Sequence, residues 1–256
     1  MSMIPQLMSG RRLEHDALST GQFVSLGFNY VQMFSDFLED NESEFSLEEA
    51  GTTDATIALG TADPDGNVLL SHNGTNEAQS VAITGGGTAF LNPHKEPIFE
   101  TRLKITLSTD ATFDAASNYL VFVGLVTKGT AVSTSATLIS ASADHVGFQL
   151  GSDTGTLNIY CESDDGTNDN DLKDSGIDFV SGTYVTLKID MTDLSNVRFF
   201  IDGAEANNGN TFDMSNIAAT DYLEPYILFS RTSNGAATER AHVMSVDYLR
   251  LTWKRS

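Results

Sequence analysis

Residues 99–107 read FETRLKITL, and this stretch decides the fold class of the chain. Its apolar side chains fall mainly on alternate positions, and Glu100, Arg102 and Lys104 take positions between them. A period of two places one set of side chains on each face of a β-strand, with the apolar set buried and the charged set in water. The stretch therefore predicts a strand of a sheet that packs on another layer through one face.

Similar patterns continue along the chain in both directions. Residues 119–127 read YLVFVGLVT, a nearly continuous apolar run that predicts a central strand covered on both faces. Alternation returns in residues 146–150, 157–161, 185–191, 197–201 and 246–253, with shorter candidates at 56–59, 68–71 and 81–84. Turn-rich stretches at 163–171 and 207–210 read as loops, and Asp202-Gly203 favours a hairpin turn. Many short strands with few helical windows predict an all-β, antiparallel β-sandwich.

The first part of the chain is less regular. Residues 20–39 fit a helical stripe and also alternate like a strand. The first 33 or so residues carry one proline, two arginines and scattered apolar side chains. We interpret residues 1–33 as an N-terminal arm that becomes ordered against a partner, and residues 34–256 as the sandwich domain. The alternative is an ordinary extra strand or helix packed on that domain.

The net charge of the chain limits the kinds of partner that it can bind. The chain has 35 acidic and 14 basic residues and a formal net charge of −21, so it repels nucleic acid and anionic membranes. The same charge suits a basic protein surface or divalent cations, and it equally fits an acidic surface with no partner. Cys161, the single cysteine, falls in an apolar position and reads as a small buried side chain. The first residues show no secretory signal and no stretch approaches a membrane span, so we expect folding in a cytoplasm.

Several segments, taken in order, resemble the concanavalin A-like (laminin-G-like) jelly roll. They are Phe34 to Leu38, Asp65 to Leu70, Phe99 to Lys104, Tyr184 to Asp190 followed by Asn196 to Gly203, and Val246 to Leu251. The resemblance spans about residues 34–254 and implies that fold. Domains similar to this one occur in glycoside hydrolases, in lectins and in structural proteins of tailed phages, so function must be argued from a site.

No catalytic centre is evident from the residues. Retaining glycosidases of this fold place their paired carboxylates on one strand, and residues 119–127, the equivalent stretch here, contain none. The five histidines form no H-E-x-x-H pattern, and no G-x-S-x-G nucleophile motif occurs. We therefore predict no catalytic residues, no cofactor and a protein that is not an enzyme.

Two oxygen-rich loops are weak candidates for a structural calcium ion. They contain Asp63 and Asp65 in one loop and Asp164 and Asp165 in the other. Neither loop matches the EF-hand spacing, and plain turn chemistry explains both.

Three aromatic residues, Tyr160, Tyr184 and Phe200, occupy the water-facing positions of their strands. If these strands are neighbours in one sheet, the rings form a platform on which a sugar stacks. The alternative is that they lie under loops or at a subunit interface, where aromatic residues are enriched.

Two functions follow as hypotheses. The first is a bacteriophage virion structural protein, a capsid decoration (cement) protein on the outside of the shell. Its partners would be the major capsid protein and sister subunits in a homotrimer, with the acidic charge steering it to a basic shell. The second is a carbohydrate-binding module on a host-recognition appendage.

Overall fold

The computed structural model of the chain describes residues 22–25, 29–37, 45–51, 55–60, 66–72, 78–86, 91–107, 119–127, 144–151, 158–231 and 242–255. These residues form sixteen strands and one short 3-10 helix, Pro93–Lys95. None of the helical structure in this part of the chain is long and apolar enough to cross a membrane.

The strands fall into two antiparallel sheets, which confirms the predicted all-β sandwich. In chain order they are β1 (Gln22–Ser25), β2 (Tyr30–Ser35), β3 (Ser46–Gly51), β4 (Thr56–Leu59), β5 (Val68–Ser71), β6 (Gln79–Thr84), β7 (Ile98–Thr106), β8 (Tyr119–Thr127), β9 (His145–Gly151), β10 (Asn158–Asp164), β11 (Asp169–Asp178), β12 (Val185–Asp190), β13 (Arg198–Ile201), β14 (Ala204–Glu205), β15 (Leu223–Arg231) and β16 (Val243–Lys254). The nine-stranded sheet has the order β1-β2-β16-β7-β12-β13-β14, with β5 pairing β16 and β4 pairing β5. The seven-stranded sheet has the order β11-β10-β9-β8-β15-β6-β3.

The main core lies between the two sheets. Phe99, Leu103 and Ile105 of β7 point inward and are fully buried, as their alternation predicts. Across the interface, the ring of Phe148 in β9 meets the ring of Phe199 in β13 edge to face, with centroids 5.1 Å apart. Burial of each such side chain contributes about 1.5–3 kcal/mol, so this layer of alternating residues dominates the stability of the fold.

The seven-stranded sheet is buried on both faces at its centre. Residues 121–126 of β8 are all buried, and so are all residues of the described β6 and β15. The apolar side chains on the outer face of these strands form a second, smaller cluster of Ala82, Phe122, Val126, Tyr226 and Leu228. The prediction that residues 119–127 are covered on both faces is confirmed.

The N-terminal strands belong to the nine-stranded sheet. β2 pairs with β16 from Tyr30 opposite Lys254 to Ser35 opposite Leu249, and β1 pairs with β2. Met33 is fully buried in the core, so this segment packs as a strand because its alternate side chains reach the interior. Residues 22–25 and 30–33, which fall within the predicted arm, thus form strands of the sheet. Residues 1–21 lie outside the described residues.

One stretch that reads as a loop is partly strand, with the turn itself confined to residues 165–168. Residues 163–171 are rich in Asp, Asn and Gly, yet β11 begins at Asp169 and β10 continues to Asp164. β11 is an edge strand, paired on one side only, and its pairing with β10 has two register shifts. Apart from Leu172 and Ile177 its side chains are polar or glycine, so no hydrophobic alternation marks it. Charged residues on an edge strand also oppose pairing with the edge of another molecule.

Candidate functional site

The outer face of the nine-stranded sheet collects the basic residues of this acidic chain. The described residues include ten lysines and arginines, and six of them lie on this face. We call these six the basic face: Arg102, Lys104, Lys188, Arg198, Arg250 and Lys254. Alternation places them there, because their neighbours Leu103, Leu187, Phe199, Leu249 and Leu251 fill the core.

Strand register builds a ladder across this face. Lys188 of β12 lies opposite Glu100 of β7, Glu100 lies opposite Arg250 of β16, and Arg250 lies opposite Phe34 of β2. Glu100 accepts hydrogen bonds from Arg250 at 2.6 Å and from the hydroxyl of Tyr248 at 2.8 Å. Burial and the Glu100 bond raise the pKa of Tyr248 to about 12, so its hydroxyl remains a donor.

Three more ion pairs hold cations of the basic face in place. Arg102 bonds Asp247 at 2.7 Å, Arg198 bonds Asp190 at 3.0 Å, and Lys254 bonds Glu96 at 2.7 Å. The paired cations on this face keep 40%, 43%, 44% and 45% of their side-chain surface in water. Exposed pairs contribute about 0–1 kcal/mol each, so they order the side chains more than they stabilise the fold.

Two of the predicted aromatic residues are part of the basic face. Arg102 and Lys104 lie over the ring of Tyr184 at 4.3 and 4.5 Å from its centroid. Lys188 and Arg198 lie over the ring of Phe200 at 4.9 and 5.7 Å. Such contacts are worth about 0.5–1 kcal/mol at exposed sites. Because cations of the same chain already lie over both rings, neither ring is a bare stacking surface for a sugar.

The third aromatic residue is elsewhere. Tyr160 lies in β10, on the outer face of the seven-stranded sheet, while its neighbours Ile159 and Cys161 point into the core. Its hydroxyl accepts a hydrogen bond from the amide of Asn158 at 3.3 Å. Tyr160, Tyr184 and Phe200 therefore belong to two different sheets and do not form one platform.

The middle of this second outer face is closed by an aromatic ring. Register aligns Glu162 of β10, Gly147 of β9, Gly124 of β8 and Tyr226 of β15 in one row across the sheet. A Cβ at Gly147 would lie 2.3 Å from the ring of Phe122, so that ring occupies the space above the glycine. Phe122 and Tyr226 are both fully buried. The row is therefore packed protein rather than an open groove.

Glu162 is the most perturbed group of this row. The residue is 5% exposed, and Gln149 with its amide turned to donate reaches both carboxylate oxygens at 2.8 and 3.2 Å. His145 Nε2 lies 3.8 Å from the same carboxylate. Burial raises the pKa of Glu162 to about 8, with added repulsion from Asp171 and Asp169. A carboxyl whose pKa is raised towards neutral is a candidate for proton transfer, and sequence reasoning missed Glu162 because burial, not a motif, raises its pKa.

A second buried carboxyl lies on the same outer face but far from Glu162. Glu224 of β15 is 1% exposed. Three strand spacings separate β15 from β10, which places the two backbones about 14 Å apart. The carboxylates of glycosidases lie about 5–9.5 Å apart, so backbone spacing alone does not make Glu162 and Glu224 such a pair.

The calcium candidates have turn roles where they are described. Asp165 accepts hydrogen bonds from the backbone of Thr167, Asn168 and Asn216 and from the Asn168 amide, at 2.7–3.2 Å. Burial opposes ionisation of Asp165, but these bonds outweigh it and lower the pKa. Asp164 accepts from Gly166 N at 2.7 Å.

Asp63 and Asp65 lie outside the described residues, and no group of three metal-ligating side chains occurs in the described part of the chain. Cys161, which is fully buried, has its thiol 3.8 Å from the carbonyl of Ala206, and burial raises its pKa. Its predicted role as a small buried side chain is confirmed.

Comparison with known proteins places the fold. No protein-family model matches the chain, and no curated protein is similar to it in sequence. A protein of unknown function from Shewanella oneidensis MR-1 aligns over 99% of this chain and 95% of its own, with a TM-score of 0.56 and 14% identity. A glycoside hydrolase family 16 endo-glucanase from Bacteroides ovatus aligns over 85% of this chain and 98% of its own, with a TM-score of 0.54 and 14% identity. The carbohydrate recognition domain of Emp46p aligns over 85% of this chain and 94% of its own, with a TM-score of 0.51 and 13% identity.

These similarities show a concanavalin A-like jelly-roll sandwich, as the sequence resemblance implied. They also correct one prediction. The expectation that the chain is not an enzyme is wrong as a conclusion from the fold. An endo-glucanase has the same fold, so the fold is compatible with enzymes. The absence of carboxylates from β8 excludes only the arrangement in which both glycosidase carboxylates lie on that strand. Glu162 and Glu224 lie on β10 and β15 of the same sheet.

Proposed function

We propose that the chain is a structural protein of a bacteriophage virion, a decoration protein that binds the outside of the capsid shell. The observation that carries the binding part is the basic face together with the half-buried Tyr184 and Phe200, over whose rings four of its cations lie. Arginine and aromatic residues are the types enriched at protein interfaces. The virion part is supported by the resemblance to jelly-roll domains of tailed phages.

Charge supplies the second support. Outside the basic face the surface is acidic, because the whole chain has a net charge of −21, and this acidic surface is attracted to basic patches of a partner, which raises association rates at low salt. Its partners in this proposal are the major capsid protein and sister subunits, and its location is the capsid exterior after synthesis in the host cytoplasm. Residues 1–21 are proposed to contact the shell.

Co-sedimentation with purified empty shells of the phage that encodes the chain tests this function. We expect saturable binding of the full chain, weakened by 500 mM salt. A variant lacking residues 2–21 should lose binding, while its urea midpoint stays within error. The truncation stops at residue 21 because residues 22–25 and 30–35 are strands of the nine-stranded sheet. Absence of full-length protein from the shell pellet at any salt concentration would overturn the proposal.

Carbohydrate binding is the second candidate, favoured by the half-buried Tyr160 beside Asn158 and Gln149 on the outer face of the seven-stranded sheet. A glycan array with the intact chain tests it. Retention that is lost in Tyr160→Ala but kept in Phe200→Ala would support a sugar site on that sheet. An array without signal would end this candidate.

A further inference from the structure

The basic face has a complement on the same molecule. Residues 158–178, the strands β10 and β11 with their turn, carry seven acidic residues and one lysine. We call this segment the acidic hairpin. Asp169, Asp171, Asp174 and Asp178 are exposed, so they are available to a partner.

Negative charge in the acidic hairpin is crowded. Burial and then the carboxylates of Asp171 and Asp164 raise the pKa of Asp169. Burial and then Asp221, Asp164 and Asp165 raise the pKa of Asp144, which precedes β9 next to this segment. A cationic partner would relieve this repulsion, because opposite charges favour the ionised form.

The two surfaces cannot meet within one molecule. The acidic hairpin forms one edge of the seven-stranded sheet, whereas the basic face points away from that sheet on the far side of the sandwich. A contact between them therefore needs two copies of the chain. It is also heterologous, since a different surface of each copy takes part, and such contacts close into rings when the rotation allows.

Geometry fits this contact. Arg102 and Lys104 are two residues apart on one strand, which spaces them about 7 Å along the face. Asp169 and Asp171 are also two residues apart on a strand, with the same spacing of about 7 Å. The half-buried Tyr184 and Phe200 lie between the cations and add apolar contact.

We propose that the basic face of one copy binds the acidic hairpin of a second copy, and that this contact joins sister subunits into a closed ring. The proposal rests on the proposed function, since it names the sister subunit as the partner of the same face. Two cations are suited to carry the test: among the described residues, neither Lys104 nor Lys188 forms an ion pair with a carboxylate. Their reversal breaks none of the four ion pairs of this face, although it removes the cations over Tyr184 and Phe200 and puts a second carboxylate opposite Glu100.

The first experiment is sedimentation velocity of the full chain at 50 and 500 mM salt. We expect an oligomer at low salt that dissociates at least tenfold more readily at high salt, because the contact is made by exposed charges. A wild-type chain that stays monomeric at 100 µM and 50 mM salt would overturn the proposal.

Charge reversal tests the named surfaces. Lys104→Glu with Lys188→Glu should be monomeric at low salt, and so should Asp169→Lys with Asp171→Lys. An equal mixture of the two variants should reassociate, since each then offers the surface that the other lost. Circular dichroism and urea midpoints near wild type show that both remain folded. Variants that stay oligomeric, or a mixture that stays monomeric, contradict the proposal.

Shell binding separates this inference from the proposed function. A lysine-reversed variant that is monomeric and still pellets with shells supports the ring and the decoration function, and it shows that the basic face is not the shell contact. A variant that remains oligomeric but no longer pellets assigns the basic face to the shell and overturns only the ring. Wild type that forms rings but never pellets with shells overturns only decoration.

Discussion

Single residues show how burial, rather than residue type, sets the chemistry of this protein. Glu162 and Asp165 are three positions apart and both are buried, yet burial and repulsion raise the pKa of Glu162 while backbone hydrogen bonds lower that of Asp165. The sequence identifies both as acids near a turn. It does not show which one meets backbone N–H groups, because Asn216 reaches Asp165 from a distant part of the chain.

Glu162 predicts a pH dependence of stability. Its folded-state pKa of about 8 lies above the ordinary 4.5, so the folded protein holds this proton more tightly than the unfolded chain. The stabilisation is complete below about pH 4.5 and is lost as the pH rises through about 8. Glu162→Gln should flatten this slope, gaining about 1–4 kcal/mol on wild type between pH 5 and pH 8.5.

Urea unfolding at pH 5, 6.5 and 8.5 measures this difference. Glu205→Gln is the matched control, because it removes one exposed carboxylate from β14 and should follow the wild-type slope. A constant gap between Glu162→Gln and wild type at all three pH values would contradict a buried, proton-binding Glu162.

The hydrogen bonds of Asp165 predict that Asp165→Ala destabilises the protein more than Asp164→Ala does. Asp165→Ala leaves three backbone N–H groups without their acceptor, and each loss in a buried site costs about 1–3 kcal/mol when water does not replace it. We expect a total loss of about 2 kcal/mol or more. Asp164→Ala makes the same charge change but loses one exposed bond, so its loss should stay below about 1 kcal/mol. Equal urea midpoints for the two variants would refute this role.

At the scale of elements, hydrophobic alternation predicts strands and fails where a strand has no buried face of its own. β7, β8 and β16 follow from their patterns, and the double burial of β8 follows from its continuous apolar run. β11 does not, because its Asp and Asn side chains are polar on both faces and its partner strand alone fixes it. The row from Glu162 to Tyr226 combines four strands, and no local pattern encodes their register.

The packing of Phe122 on Gly147 makes a prediction about two adjacent strands. Gly147→Ala puts a methyl group 2.3 Å from the Phe122 ring and should cost about 1–3 kcal/mol. Phe122→Leu removes the ring atoms that the methyl group meets. In a double-mutant cycle from urea unfolding, Gly147→Ala should therefore cost at least 1 kcal/mol less in the Phe122→Leu background. Additive effects would mean that the ring does not lie over Gly147.

Gly124→Ala is the companion variant. Its Cβ would lie 2.2 Å from the backbone oxygen of Val146. The backbone cannot relieve this clash by rotation about a side-chain bond, as the Phe122 ring can. Phe122→Leu should leave the cost of Gly124→Ala unchanged, which separates a side-chain clash from a backbone clash.

The whole molecule distributes its charge unevenly. A net charge of −21 suggests a uniformly acidic surface, but six of the ten described basic residues share one sheet face, and one edge of the other sheet carries the acidic hairpin. Composition gives the net charge, but the fold gives its distribution, because the cations come from β7, β12, β13 and β16, which the sheet order places side by side. The sugar platform considered for Tyr160, Tyr184 and Phe200 required neighbouring strands, and the fold places these residues on two different sheets.

Truncation tests whether the N-terminal strands are integral to the domain. Removal of residues 2–35 would delete β1 and β2, with the buried Met33, and leave one edge of β16 unpaired from Leu249 to Lys254. Loss of one buried methionine alone costs about 2–5 kcal/mol, so the urea midpoint should fall sharply. An unchanged midpoint would show that the domain begins at residue 36, close to the boundary that the sequence suggests.

The most direct test of the proposed function is electron cryo-microscopy of empty shells incubated with the purified full chain. We expect density for the two-sheet sandwich on the outside of the capsid, arranged around local symmetry axes as rings of copies. Bare shells, with the chain on tail fibres or in the supernatant, would contradict it.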